Sequence, residues 1–230
     1  RAGGGAYFHD NGGSSHLDPA VLKIESTSST GVAVHATQSS SDATLVLANG
    51  GSGELIKAFN GASLGNLCFR VDNAGNVTAD GTYTSPASDF AEYLPKRDVT
   101  EPIESGDVVG MFADGLSKRT EGAERLMVIT TKPLVLGNTR EGEAPPNHAA
   151  VAMLGQAPVK VRGPVQSGDY LVASGKHDGT AVAVSPAALS SSQFGQIVGC
   201  ALESSADAGV KPVLASVGLS HDKLWSQALQ

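Results

Sequence analysis

The strongest constraint on the fold is a series of short apolar phrases, each closed by residues that turn a chain. Between residues 20 and 84, phrases of about six residues recur every 9 to 12 residues or so, each followed by Gly, Asn, Asp or Ser. This spacing predicts an all-β shaft, built as a repetitive β-prism or β-helix-like meander. Only 5% of the chain is aromatic, so one copy buries little apolar surface. We expect an intertwined homotrimer, with an ordinary β sandwich as the alternative.

The two ends of the chain differ from this pattern. Residues 1–19 contain two glycine runs and too few apolar side chains for a core, which predicts a flexible lead-in. The sequence begins without a signal-peptide pattern and reads as a piece of a longer protein. Residues 220–230 carry Leu224, Trp225 and Leu229 at helix-like spacing, which predicts a tail or a short helix.

An internal repeat characterises residues 99–219. The sequence PIESGDVV at residues 102–109 recurs as PVQSGDYL at residues 164–171, and each copy is followed by a strand-like run and an Asp-Gly pair. The simplest interpretation of the repeat is two copies of one β unit. In each copy the Ser-Gly-Asp turn needs the backbone freedom of glycine, and the residues after it are typical of a half-buried strand. We therefore predict a compact C-terminal β domain with an internal duplication.

A short motif at residues 85–98 joins the two parts. Its sequence SDFAEY, residues 88–93, resembles the signature that opens the intramolecular-chaperone and autocleavage domain (peptidase-G2-like) of phage neck appendages and related fibre proteins. The runs after it resemble the same terminal domain over about 130 residues, from SGDVV to PVLASV. Phe69, Val71, Gly75 and Val77 further resemble the approach to the C-terminal end of many phage tail fibres and bacterial fibre-like surface proteins.

The resemblance implies a domain that directs trimerisation of the shaft and in some members then cuts itself off. Self-cleavage would use Ser88 as the nucleophile against the Ala87–Ser88 bond, with Asp89 or Glu92 as proton acceptor or orienting group. A related endosialidase-type domain uses a Ser-Lys pair, but the next basic residues here, at 96 and 97, follow a proline. The alternative is structural, with both carboxylates holding a turn.

The remaining composition narrows the function further. A net charge of −7, from 16 basic and 23 acidic residues, argues against nucleic acid as a partner. No apolar run is long enough for membrane insertion, and the six histidines show no metal-ligand spacing with Cys68 or Cys200. The two cysteines are either buried thiols or a bridge between the halves. We expect no cofactor and no metal.

These observations together predict a structural fibre or tail-spike-type module on a virion tail, a virion appendage or an extracellular surface. Its C-terminal domain would promote homotrimer assembly and cap the shaft. The alternatives are a fibre tip that binds a cell-surface glycan or receptor, and a self-cleaving chaperone whose only activity is a single turnover of autoproteolysis.

Overall fold

The computed structural model of the chain describes residues 34, 36–39, 41, 43–61, 65–139 and 147–218. It divides into two compact units, Arg1–Thr82 and Tyr83–Gln230. The lead-in and tail interpretations, for residues 1–19 and 220–230, fall outside the described residues. Within those described, strands dominate and the only helices are two short 3-10 helices, Pro186–Ala188 and Ser191–Gln196. The all-β prediction is therefore confirmed.

The first unit contains one three-stranded antiparallel sheet among its described residues. The turn between its last two strands is held by Asp72, whose Oδ1 accepts hydrogen bonds from the backbone N–H groups of Ala74 and Asn76, both at 2.9 Å. One of the predicted strand phrases, residues 43–48, pairs with no strand among the described residues, so the expectation of a strand there is wrong; an extended segment needs a ladder partner to persist. The strands are β1 Ile56–Asn60, β2 Asn66–Val71 and β3 Val77–Ala79.

The second unit holds one larger sheet. Its described residues form ten strands: β4 Ser88–Pro95, β5 Val108–Phe112, β6 Gly115–Ser117, β7 Arg125–Ile129, β8 Val135–Gly137, β9 His148–Arg162, β10 Tyr170–Ala173, β11 Ala181–Val184, β12 Ile197–Ala201 and β13 Val210–Val217.

The long strand β9 is shared by two closed rings of strands. Its first half pairs with β4 and β7, then β7 pairs with β5 and β5 with β6, and a parallel bridge from Lys96 to Leu116 returns to the end of β4. Its second half pairs with β13, which leads through β12 and β10 to β11, and β11 returns to β9 in parallel. Closing each ring leaves fewer unpaired strand edges.

Each ring contributes buried apolar side chains. A smaller cluster lies among the strands of the first ring and a larger one is centred on the second, extending to Val108 and Val128 of the first. The residues of the smaller cluster are Val109, Leu116, Met127, Ile129, Ala149 and Val151. The larger cluster therefore spans both rings, and the smaller one belongs to the first ring.

The two Ser-Gly-Asp segments form turns with the same hydrogen bonds. Asp107 Oδ2 accepts from the backbone N–H of Glu104 at 2.8 Å, and Asp169 Oδ2 accepts from that of Gln166 at 2.9 Å. The preceding glycines, 106 and 168, have φ of 80° and 92°, which only glycine adopts readily. Each turn leads into a hairpin, β5–β6 or β10–β11. The duplication of a whole β unit stays a prediction, supported by this shared geometry.

The joint motif is not a turn. Residues 88–95 form β4, paired antiparallel with β9 on one side and in parallel with β8 on the other. The expectation that its carboxylates hold a turn is therefore wrong. The reason is that Asp89 and Ala91 alternate with exposed Ser88 and Phe90, the pattern of a strand with one buried face.

Candidate functional site

The start of β4 places a carboxylate in the interior of the second unit. Asp89 is 4% exposed, whereas its neighbour Ser88 is exposed, because successive side chains of a strand point to opposite faces. The register sets Ser88 opposite Gln156 and Asp89 opposite Gly155 of β9. The carbonyl of Asp89 accepts a hydrogen bond from the N–H of Leu134 at 2.8 Å, which fixes the strand on its other side.

A pocket of about 250 Å³ opens beside this strand end. It combines an apolar wall with hydroxyl, amide, carboxyl and ammonium groups contributed by four separate segments. Its lining residues are Pro86, Ala87, Ser88, Asp89, Thr130, Thr131, Lys132, Gln156, Pro158 and Leu214. The Ala87–Ser88 peptide bond thus lies at the pocket, which mixes polar and apolar groups in the way that small-ligand and reactive sites do.

One carboxylate oxygen in this site has no partner. Oδ2 of Asp89 is buried and accepts no hydrogen bond from any described residue. Arg162 Nε is the other unsatisfied side-chain atom that the described residues bury. Burying a polar atom without a hydrogen-bond partner destabilises the folded state by about 1–3 kcal/mol. The unpartnered oxygen of Asp89 therefore lowers the stability of the second unit.

The structure brings together only part of the predicted catalytic set. Ser88 and Asp89 both line the pocket, but Glu92 does not. Glu92 follows Ser88 by four residues in the same strand, a separation of about 13 Å at the usual rise. No hydrogen bond joins Ser88 Oγ to Asp89 or Glu92 in the described part of the chain. A catalytic role for the three residues stays a prediction.

Lys132 is a pocket residue that the sequence did not reveal. It lies in the connection between β7 and β8, beside Thr130 and Thr131, and forms no ion pair with a described residue. The basic residues that directly follow the joint, Lys96 and Arg97, do not line the pocket. The only signal for Lys132 is spatial, because the connection that contains it leads into β8, which pairs with β4, and the N–H of Leu134 bonds to the carbonyl of Asp89.

Close backbone contact keeps β4 on β9 at the pocket. Gly155 has φ of 124°, and a Cβ atom there would overlap the carbonyl oxygen of Ser88 and lie 2.7 Å from the Cα of Asp89. Only glycine fits this position, because both the backbone angle and the free space exclude a side chain. The position of the Ala87–Ser88 bond therefore depends on a residue of another strand.

A second polar cluster lies in the first repeat turn and is fully partnered. Asp107 is completely buried and pairs with Lys160 at 2.7 Å and Lys118 at 3.2 Å, while Glu104 also reaches Lys160, at 3.0 Å. Burial opposes the charged form of Lys160, but hydrogen bonds to Asp107 and Glu104 outweigh it and raise the pKa of the ammonium group. A structural role accounts for this arrangement: the ion pairs join the first repeat turn to Lys118 and to Lys160 of β9.

Other site types have little support in the part of the chain that the structure describes. No group of three or more His, Cys, Asp or Glu side chains is arranged to hold a metal there. Cys68 and Cys200 are both free thiols. The same residues include no helix of the length and apolarity required to cross a membrane.

Comparisons with known proteins give a distant structural match. No protein-family model matches the chain, and no curated protein matches its sequence. The chain is similar to the crystal structure of the pre-mature gene product 12 of bacteriophage phi29, at 15% identity and a TM-score of 0.48, over 66% of this chain and 24% of that one. It is also similar to the crystal structure of a C-terminal fragment of that gene product, at 15% identity and a TM-score of 0.34, over 56% of this chain and 99% of the fragment. The chain spans about a quarter of the first of these proteins.

Proposed function

We propose that this chain is a structural module of a fibre or tail-spike-type appendage, and that its copies assemble as a homotrimer. The observation that carries the proposal is the missing core of the first unit: none of its described residues is buried. The second unit, in contrast, buries apolar side chains from both of its rings. A sheet with no covered face needs a partner to remain folded.

The first unit exposes apolar side chains on all three of its strands. Ile56, Leu67 and Val77 are among its exposed large hydrophobic residues. An isolated sheet of this size is marginal in water, and each fully covered side chain of this kind contributes about 1.5–3 kcal/mol. Identical copies can cover these side chains for one another, because every copy exposes the same apolar surface.

The second unit has the buried apolar core that the described residues of the first unit lack. A folded domain that gathers the chains raises the local concentration of the first units and lowers the entropy cost of aligning them. This supports a C-terminal assembly and capping role, in line with the resemblance of the SDFAEY motif to phage neck-appendage domains. The proposed location is accordingly a virion appendage or an extracellular surface.

Solution mass tests this assembly role. Sedimentation equilibrium of the full chain should give three times the chain mass, and a chain ending at residue 82 should be monomeric at the same concentration. Val77→Lys, in the sheet of the first unit, should weaken association, whereas Val99→Lys, at an equally exposed turn position of the second unit, should not. A monomeric full chain, or a truncated chain that still forms the same trimer, would contradict the proposal.

A second candidate function is self-cleavage at the Ala87–Ser88 bond. It is favoured by the unpartnered carboxylate of Asp89 in the pocket that holds this bond and Lys132. In this reaction Ser88 Oγ attacks the carbonyl carbon of Ala87, and a base carries the hydroxyl proton to the departing amide nitrogen. Water then hydrolyses the resulting ester. Lys132 would be the proton carrier, because the side chains of Ser88 and Asp89 point to opposite faces of β4.

Mass spectrometry of the purified chain over time tests this second function. A break between residues 87 and 88 that is abolished by Ser88→Ala and slowed by Lys132→Ala, but unaffected by Lys176→Ala on an exposed turn, would support it. An intact chain after prolonged incubation would exclude it. The third alternative, a tip that binds a glycan or receptor, stays a prediction. Binding of the chain to a glycan array would test it.

A further inference from the structure

Three apolar side chains form an exposed row across the outer face of the second unit. Phe90 of β4 lies directly opposite Leu154 of β9 and, on its other side, opposite Val135 of β8. Residues directly opposite each other in a sheet share a face, so their side chains are neighbours. Their exposed fractions are 46%, 58% and 45%, and Leu134 beside them is equally exposed. We call these four residues the outer apolar patch.

The patch reaches an open edge of the sheet. Strand β8 pairs with β4 and with no other strand among the described residues, so its outer edge presents unpaired backbone groups. Proteins usually protect such edges with charged side chains, proline or a covering segment. Here Lys132 and Pro133 precede the edge strand, but Leu134 and Val135 follow them with exposed apolar side chains, which is typical of an interaction surface.

We propose that the outer apolar patch is a contact between copies of this chain. The proposal rests on the association of copies proposed above. Phe90 follows Thr82, the last residue of the first unit, by eight residues, which span at most roughly 28 Å of extended chain. Copies whose first units associate therefore keep their patches at a high local concentration. An apolar patch held near its own duplicates is covered by them, because burial of both surfaces is favourable.

Association measurements on full-length variants test the contact. Leu154→Glu should weaken association at least about tenfold, since each charge would be buried or repelled by the same charge on the next copy. Val210→Glu is the matched control: Val210 is 45% exposed, also lies on a strand and is outside the patch, so it should leave association unchanged. Circular dichroism should show both variants folded.

The outcomes separate this proposal from the proposed function. A wild-type chain that is monomeric at all concentrations overturns both. A chain that associates equally well with and without Leu154→Glu overturns the patch contact alone and leaves assembly through the first unit standing.

Hydrogen exchange of the wild-type chain decides the question if Leu154→Glu fails to fold. Those amides of Val135–Gly137 that face the open edge of β8, away from β4, should exchange slowly in the assembled protein and quickly after dilution to the monomer. Equally fast exchange at every concentration would overturn the proposal. Protection that persists in the monomer, and is lost when residues 219–230 are removed, would assign the patch to the chain's own tail and overturn it as well.

Discussion

Oδ1 of Asp107 lies 2.7 Å from Nζ of Lys160, although 53 residues of chain separate the two positions. The carboxylate is completely buried, and its other oxygen meets Lys118 at 3.2 Å. A Cβ atom on Gly179 would lie 2.6 Å from the same Oδ1, so the hairpin β10–β11 also packs against this group. One carboxylate thus links the first repeat turn to the C-terminal end of β9 and packs against the second hairpin.

Asp107→Asn is expected to lower the free energy of unfolding by about 3 kcal/mol, because it leaves the ammonium groups of Lys118 and Lys160 without their main counter-charge. Urea unfolding followed by circular dichroism measures this. Asp169→Asn is the matched control, since Asp169 makes the same turn hydrogen bond but no ion pair with a described residue. Its cost should stay below about 1 kcal/mol. An equal loss of unfolding free energy in the two variants would contradict the proposal that the buried ion pairs of Asp107 stabilise the fold.

Asp178 is expected to make the second unit sensitive to acid. Burial opposes its charged form, but hydrogen bonds from Thr180, Arg162 and Ser174 outweigh that effect and hold its pKa well below the usual range. A carboxyl whose pKa is lowered by folding stabilises the protein above its unfolded pKa of about 3.9, and this contribution is lost as the pH falls through the folded value. The unfolding free energy should therefore decrease from about pH 4 downward.

Asp178→Asn should reduce that decrease and lower stability at pH 7 by about 1–2 kcal/mol. The measurement is urea unfolding at pH 7 and pH 3, taken as the difference between wild type and variant. Asp114→Asn offers the control: Asp114 is the corresponding residue of the first hairpin, and it pairs with Arg97 at 2.8 Å but is 63% exposed. An exposed pair contributes little, so that variant should match the wild type at both pH values.

Gly155→Ala is expected to displace β4 from β9 and to destabilise the second unit by at least about 3 kcal/mol. The new methyl group would overlap the backbone of Ser88 and Asp89 and would also require an unfavourable backbone angle. Gly168→Ala separates the two effects, because φ is 92° there but no atom lies within 4 Å of the added Cβ. It should cost about 1 kcal/mol from the backbone angle alone. Thermal unfolding of both variants checks the difference.

Asp89→Asn is expected to increase the stability of the second unit by about 1 kcal/mol. The substitution removes the charge from a buried group whose Oδ2 has no described partner, so the folded state no longer bears the cost of desolvating a carboxylate. Urea unfolding at pH 7 measures the change, with Asp107→Asn as the contrasting buried position. A loss of stability would mean that the carboxylate has a stabilising partner in solution.

The expectations that came closest to the structure depended on local chemistry. The repeated Ser-Gly-Asp triplet predicted two turns, and both have the same hydrogen bonds, because a glycine with positive φ and an aspartate that caps a turn act over three residues. The form of the joint as a strand was missed, since its pairing partners lie far along the chain.

The sequence by itself determined that this chain is built of strands and turns, and which residues turn it. Only the tertiary structure decided that Asp107 is buried among ammonium groups while Asp169 is not, and that Lys132 shares a pocket with Asp89. Turn and strand preferences depend on interactions between residues close in sequence, so a few consecutive residues are enough to predict them. Burial and charge pairing depend on the register of distant strands on β9, which no short stretch of sequence specifies.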